Sequence, residues 1–172
     1  MSLRAAEVAQ NILETLATIY VPAGGFGLAK MFAKSGLYDD VASFLAVGDD
    51  ALKGKAVGVI GTMPTRGPGL GNGEAYTEAV EYLVVYSFTV KRAAGEDESA
   101  GVITANDMAG KIRDALLMDK SRGGRCGFFR RGGRIVNGTS VEGEARIIDT
   151  LPNQAIYTAQ LPVACGWWVE QT

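Results

Sequence analysis

The chain has 172 residues, 47% hydrophobic and 21% charged, which suits one globular domain spanning 1–172 that buries roughly 70% of its unfolded surface. A net charge of -2 excludes a body that attracts polyanions through its overall field, and the absence of histidine removes the commonest general base and metal ligand. Cys126 and Cys165, with no basic-then-apolar leader ahead of them, argue against a secretory route and a disulfide framework, so cytoplasmic synthesis is expected.

Between Leu3 and Tyr20, the residues Ala5, Val8, Ala9, Ile12, Leu13, Leu16 and Ile19 recur at three-and-four spacing. This predicts an amphipathic helix capped by Ser2 and stopped by Pro22 and the Gly24-Gly25 pair. Residues 21–80 read as a loop-rich, glycine-rich insertion holding a short helix over Asp40–Leu45, started by Asp39 or Asp40, and a short strand over Ala56–Ile60. From Thr62 to Ala75 there is no periodicity, and Pro64, Pro68 and several glycines predict a long exposed loop.

The stretch Glu81–Arg92 contains neither Gly nor Pro and is almost wholly β-branched or aromatic. Its even positions Tyr82, Val84, Tyr86, Phe88 and Val90 are large and apolar, so one face of a long strand is buried throughout. Its apolar run Tyr82–Tyr86 falls far short of the ~20 residues of a membrane helix. After an acidic turn at Glu96-Asp97-Glu98, a helix is expected from Thr104 to about Lys120, opened by a capping-box analogue over Thr104–Asp107 and burying Met108, Ile112, Ala115, Leu116 and Met118. Gly123-Gly124 closes it.

The remainder reads as antiparallel strands: Gly127 to about Val136, a turn at Asn137-Gly138, Ala145–Leu151, a turn at Pro152-Asn153, and Ala155–Trp168. Pro162 has no N–H donor and places the last strand at a sheet edge or a bulge. The fold class expected is α+β, a mainly antiparallel sheet with two helices on one face and a long Gly-rich loop insertion.

Three groupings invite a chemical reading. The glycines of Gly67–Gly73 do not spell a phosphate loop, because Glu74 stands where the third glycine is required and no Gly-Lys-Ser/Thr follows. Adjacent carboxylates such as Asp39-Asp40 and Asp49-Asp50 are better read as helix caps than as a metal or acid-base site. Lys120, Arg122, Arg125, Arg130, Arg131 and Arg134 form a basic run free of acidic residues, with Phe128 and Phe129 inside it. That mixture suits a single-stranded nucleic acid, an acidic partner surface, or plain solvation; adjacent aromatics in a strand point to opposite faces, so at most one is exposed. Of Trp167 and Trp168, one is expected in the core and the other free to anchor an interface.

The N-terminal helix, the Tyr-Leu-Val-Val-Tyr-Ser-Phe-Thr-Val strand from Tyr82, the helix containing Asn106–Leu117 and the closing strand Ile156–Val163 together resemble the tail terminator, or tail-completion, proteins of long-tailed bacteriophages. The likeness covers residues 3–20 and 81–168 and is one of element order and texture, with no invariant motif. It implies a non-enzymatic virion subunit without cofactor, forming a homohexameric ring at the head-proximal end of the tail. Such a ring caps the tail tube, stops its polymerisation and joins it to the neck. Its partners would be itself, the tail tube protein and a neck or connector protein, with no membrane and no specific nucleic acid.

Ring closure calls for complementary patches on the two flanks of a subunit. From charge and exposure we assign Arg122, Arg125, Arg130, Arg131 and Arg134 to one, Glu96, Asp97 and Glu98 to the other, and Trp168 as an anchor. Another head-to-tail connector or stopper protein would share this pattern, and a nucleic-acid-binding module using the basic hairpin is the alternative of a different class.

Overall fold

The structure, a computed structural model of the chain, describes residues 2–46, 54–68, 75–90, 99–151 and 155–170. Its centre is a pair of antiparallel 15-residue strands, β6 (Ala75–Thr89) and β11 (Ile156–Glu170). They pair without interruption from Ile156↔Thr89 to Glu170↔Ala75, a ladder roughly 50 Å long. The even positions of β6 fulfil the alternation: Tyr82, Val84 and Tyr86 are fully buried and Phe88 nearly so. The strand begins at Ala75, six residues before the expected start, because Thr77 and Glu78 look polar in sequence yet are held by cross-strand partners.

The helices α1 (Leu3–Ala17) and α3 (Ser99–Leu117) share a single core with this face of the sheet. Helix α1 opens as expected, with the Ser2 hydroxyl accepting the Ala5 N–H at 3.2 Å. It ends three residues early. The Thr18 N–H and hydroxyl both turn back to the Thr15 carbonyl, and Tyr20–Pro22 becomes a strand, β1. Helix α3 starts at Ser99, so Thr104 is interior and its hydroxyl bonds the Ala100 carbonyl instead of capping an N-terminus. Its buried face carries Gly101, Ala105, Ala109, Ile112 and Leu116; Met118 lies beyond the helix and is 90% exposed, against expectation.

Two tyrosines rivet sheet to helices. The Tyr82 hydroxyl donates to the Ala5 carbonyl of α1 at 2.7 Å, and the Tyr86 hydroxyl donates to the Ala105 carbonyl of α3 at 2.6 Å. Burial pushes both phenols above their usual pKa.

Residues 21–80 are more ordered than the sequence suggests. They hold β1, β2 (Leu28–Lys30), β3 (Lys34–Leu37), α2 (Val41–Leu45), β4 (Ala56–Gly61) and β5 (Thr65–Pro68). Helix α2 has the expected cap, Asp40 accepting the Ser43 N–H at 2.7 Å, and β4 falls where expected. Of the supposed loop Thr62–Ala75, the part Thr65–Pro68 pairs with β6, and residues 69–74 lie outside the described residues.

The main sheet runs β10 (Arg146–Leu151), β11, β6, β4, β3, all antiparallel except β3 with β4. The strand β11 is therefore interior and pairs with β6 through Pro162 without a register shift, correcting the expectation of a sheet edge or a bulge there. That proline sits in a break of its outer flank, between β10, which ends opposite Gln160, and the two-residue β9 (Thr139–Ser140), which begins opposite Ala164. The lost donor faces no strand there. Arg113 of α3 fastens the connecting segment across the break, donating to the carbonyls of Val141 and Gly143 at 3.1 and 3.0 Å.

On the sheet face away from α1 and α3, a small cluster of Phe44, Ala56, Ile60 and Val85 lies under α2. Gly58 makes it possible, since a Cβ there would collide with Tyr38 and Phe44, whose rings meet edge to face at 5.3 Å. Farther along this face lies the hairpin β7 (Phe128–Arg131) and β8 (Arg134–Asn137). The sequence suggested one continuous strand here. Gly132 and Gly133, at φ of 57° and 76°, supply the turn that splits it.

Candidate functional site: two projecting hairpins and a cleft

The basic run does not form one exposed patch. Arg122 is completely buried, which removes it from the assigned interface: at φ 49° its backbone turns the side chain inward beneath α3. Its guanidinium donates to the Leu116 and Asp119 carbonyls at the end of that helix and to the Thr15 hydroxyl of α1 at 3.2 Å. It thus closes α3's C-terminus and ties the two helices together. The surrounding turn is held by Asp119, which accepts from the Ser121 hydroxyl at 2.6 Å and the Gly123 N–H at 2.8 Å. Those bonds, led by Ser121, keep the Asp119 carboxyl below the usual range.

Most of the other cations are also engaged. Arg125 donates to the Arg122 carbonyl at 3.2 Å, Arg131 pairs with Glu81 at 3.2 Å, and Arg134 pairs with Glu142 at 2.6 Å. The Arg134 bond holds the Glu142 carboxyl below its ordinary value. Among the described residues, only Lys120 and Arg130 of the run have side chains with no ion pair or hydrogen bond. The acidic counterpart Glu96, Asp97 and Glu98 lies outside the described residues.

The β7–β8 hairpin sorts its side chains by face. Phe129 is fully buried and lies against Gly166 of β11, where a Cβ would overlap the ring. Phe128 and Ile135 are 51% and 56% exposed on the other face, with Arg130 opposite Ile135 in the register. One phenylalanine is thus core and one is surface, as strand alternation requires. The tryptophans divide likewise: Trp167 is buried and Trp168 is 43% exposed.

Between the hairpin tip and the β4–β5 connection lies an open cleft of about 310 Å³, lined by Thr62, Met63, Ala79, Glu81, Arg130 and Arg131. A shallower hollow of about 250 Å³ adjoins it through Thr62 and Met63 and reaches Tyr38 and Asp39. The Arg131–Glu81 pair at its rim is well solvated, so it contributes little to stability. No group of three or more His, Cys, Asp or Glu side chains could hold a metal ion among the described residues.

A second projection was not legible in the sequence. Strands β1 and β2 pair only with each other, through Tyr20↔Lys30, Val21↔Ala29 and Pro22↔Leu28. The arm exposes Tyr20, Leu28 and, at its tip, Phe26, which is fully solvent-accessible. Gly25, at φ 80°, makes the turn, and the Ala23 N–H bonds the Gly27 carbonyl at 2.9 Å. Three large apolar side chains on so small an element are costly to leave in water.

At one end of the sheet, a polar cluster also escaped the sequence reading. The Trp167 indole and Arg66 both meet Glu78, at 3.0 and 3.7 Å, and the Arg66 guanidinium stands 4.8 Å from the centre of the Tyr76 ring. Arg66 and Trp167 reach Glu78 through strand register, since each is its direct partner on a neighbouring strand. Among the described residues no helix is long and apolar enough to cross a membrane. Neither a family model nor a curated protein sequence matches the chain.

Proposed function

We propose that this chain is a virion structural subunit of a long-tailed bacteriophage, a tail terminator that assembles head to tail into a closed hexameric ring. In that role it caps the tail tube and meets the neck. The observation that carries the reading is the presence of two separate hairpins outside the main sheet, each with exposed apolar side chains. Tyr20, Phe26 and Leu28 stand on one, beyond α1, and Phe128 and Ile135 on the other, across β6 and β11. Two unlike sticky surfaces on one rigid body suit a heterologous contact, which closes into a ring when the rotation between neighbours divides a full turn.

The nucleic-acid alternative loses its main support. Four of the six residues in the basic run are engaged within the subunit, and one of these, Arg122, is out of reach of any phosphate.

Mass in solution tests the proposal. Native mass spectrometry of the purified protein should give six times the 18.1 kDa subunit mass, and electron micrographs should show rings. Phe26→Asp and Ile135→Asp should each reduce the assembly to single subunits while leaving the far-ultraviolet circular dichroism spectrum unchanged. A protein that remains monomeric at high concentration, even with tail tubes supplied, overturns the reading.

A further inference from the structure

We propose that Cys126 and Cys165 form a dithiol site that closes to an intramolecular disulfide within the folded subunit. Both side chains border the core shared by the helices and the sheet, Cys165 fully buried and Cys126 partly so. The segments that carry them are locked together one residue further on, where the Gly127 N–H bonds the Gly166 carbonyl at 3.0 Å. A second bond, from the Cys126 N–H to the Ser121 carbonyl at 2.7 Å, fixes the approach from the other side. Each thiol is the first influence on the acidity of the other, and Cys165 also donates to the Thr139 hydroxyl at 3.7 Å.

The surroundings make the two thiols unequal. The neighbouring Cys126, the Thr139 hydroxyl and the positive Arg122 hold the Cys165 thiol down, while Cys165 and burial push the Cys126 thiol up. Disulfide formation proceeds through whichever member of such a pair ionises.

With hydrogen peroxide as oxidant the chemistry balances. A thiolate takes one oxygen, the O–O bond breaks, and hydroxide leaves a sulfenic acid behind. The second thiol's sulfur then attacks the sulfenic sulfur and expels the oxygen as water, so that two thiols and one peroxide give one disulfide and two waters. Under the ring reading, the subunit leaves a reducing cytosol for an oxidising medium on release of the virion, so the bolt would close after assembly. The site itself does not depend on that reading.

The test treats folded, reduced protein with hydrogen peroxide, blocks remaining thiols with iodoacetamide in denaturant, and maps peptides by mass. The expected product is a chain lighter by two hydrogens whose Cys126 and Cys165 peptides are joined, reversed by dithiothreitol. Its melting temperature should rise by about 5–10 °C. Cys126→Ser should abolish the product; Cys165→Ala is the second control should the first variant fold poorly. Two alkylated cysteines after oxidation, a link only between separate chains, or closure only in urea would each overturn the proposal. The link is read within one chain and the ring by total mass, so failure of one leaves the other standing.

Discussion

Trp167 and Glu78 are direct partners in the β6–β11 ladder, and the indole N–H of the first donates to the carboxylate of the second at 3.0 Å. Arg66 approaches the same carboxylate from β5, so a single side chain joins three strands where the sheet leaves the shelter of the helices. The Glu78 side chain is only 12% exposed. Removing it leaves a buried indole donor without an acceptor, and Glu78→Ala should cost about 1–2 kcal/mol in urea unfolding, with a shift in tryptophan emission. Glu78→Gln keeps an acceptor for the indole and should cost less.

Tyr82→Phe and Tyr86→Phe should each lose about 1 kcal/mol, because each deletes one buried hydrogen bond to a helix carbonyl and leaves the ring in place. The bonds reach different helices, so the double variant should be close to additive. The same phenols set the alkaline limit. Their folded pKa values lie above the unfolded value of about 10, so the unfolded chain is the one that releases the proton first. Their contribution is complete below that pH and diminishes as the pH climbs past it. Melting temperatures measured from pH 8 to 11 should fall steeply above about pH 10, and less steeply in the phenylalanine variants.

Arg122→Met should be among the most damaging single changes, at about 3 kcal/mol, since it leaves the Leu116 and Asp119 carbonyls and the Thr15 hydroxyl unpaired in a closed space. Arg122→Lys should rescue little, because one ammonium cannot reach two helices in the planar geometry of a guanidinium. Thermal unfolding of the two variants distinguishes this internal role from a surface one, in which lysine would substitute well.

Gly166→Ala should lift the β7–β8 hairpin from the sheet, because the added methyl group would occupy the space of the Phe129 ring. The expected sign is loss of stability by about 2 kcal/mol together with faster proteolysis near Gly132-Gly133. Gly124→Ala, at a site with open space around it, is the control for a purely backbone penalty.

The elements readable from sequence were those that carry their own period or cap. The alternation of Tyr82 to Val90, the apolar stripe of α1 with Ser2, and the Asp40 cap of α2 are local signals, and each stands in the structure. Strands β2 and β3 were invisible because Leu-Ala-Lys and Lys-Ser-Gly-Leu have no strand signature; their partners alone make them strands. Thr104–Asp107 misled because a Thr-x-x-Asp pattern inside a helix looks the same in sequence as one at its start. Among the assigned interface residues, a run of like charges revealed composition but not direction. Only the left-handed backbone at Arg122 turns that cation inward, Arg131 is neutralised by the distant Glu81, and Arg134 by Glu142 beyond the hairpin. The apolar arm at Tyr20–Lys30 was obscured because Tyr20 was read as the end of a helix and the residues after it as a loop-rich insertion.

The break at Pro162 bears on how such a molecule avoids uncontrolled association. A ladder of 15 residues invites foreign strands, yet its outermost lanes are cut into pieces: six residues in β10, two in β9, four in β5 and four in β3. None offers a long unbroken row of main-chain donors and acceptors to an intruder. Under the ring reading, copies of this chain would be steered away from fibre-like stacking and would meet through side chains instead of strand edges.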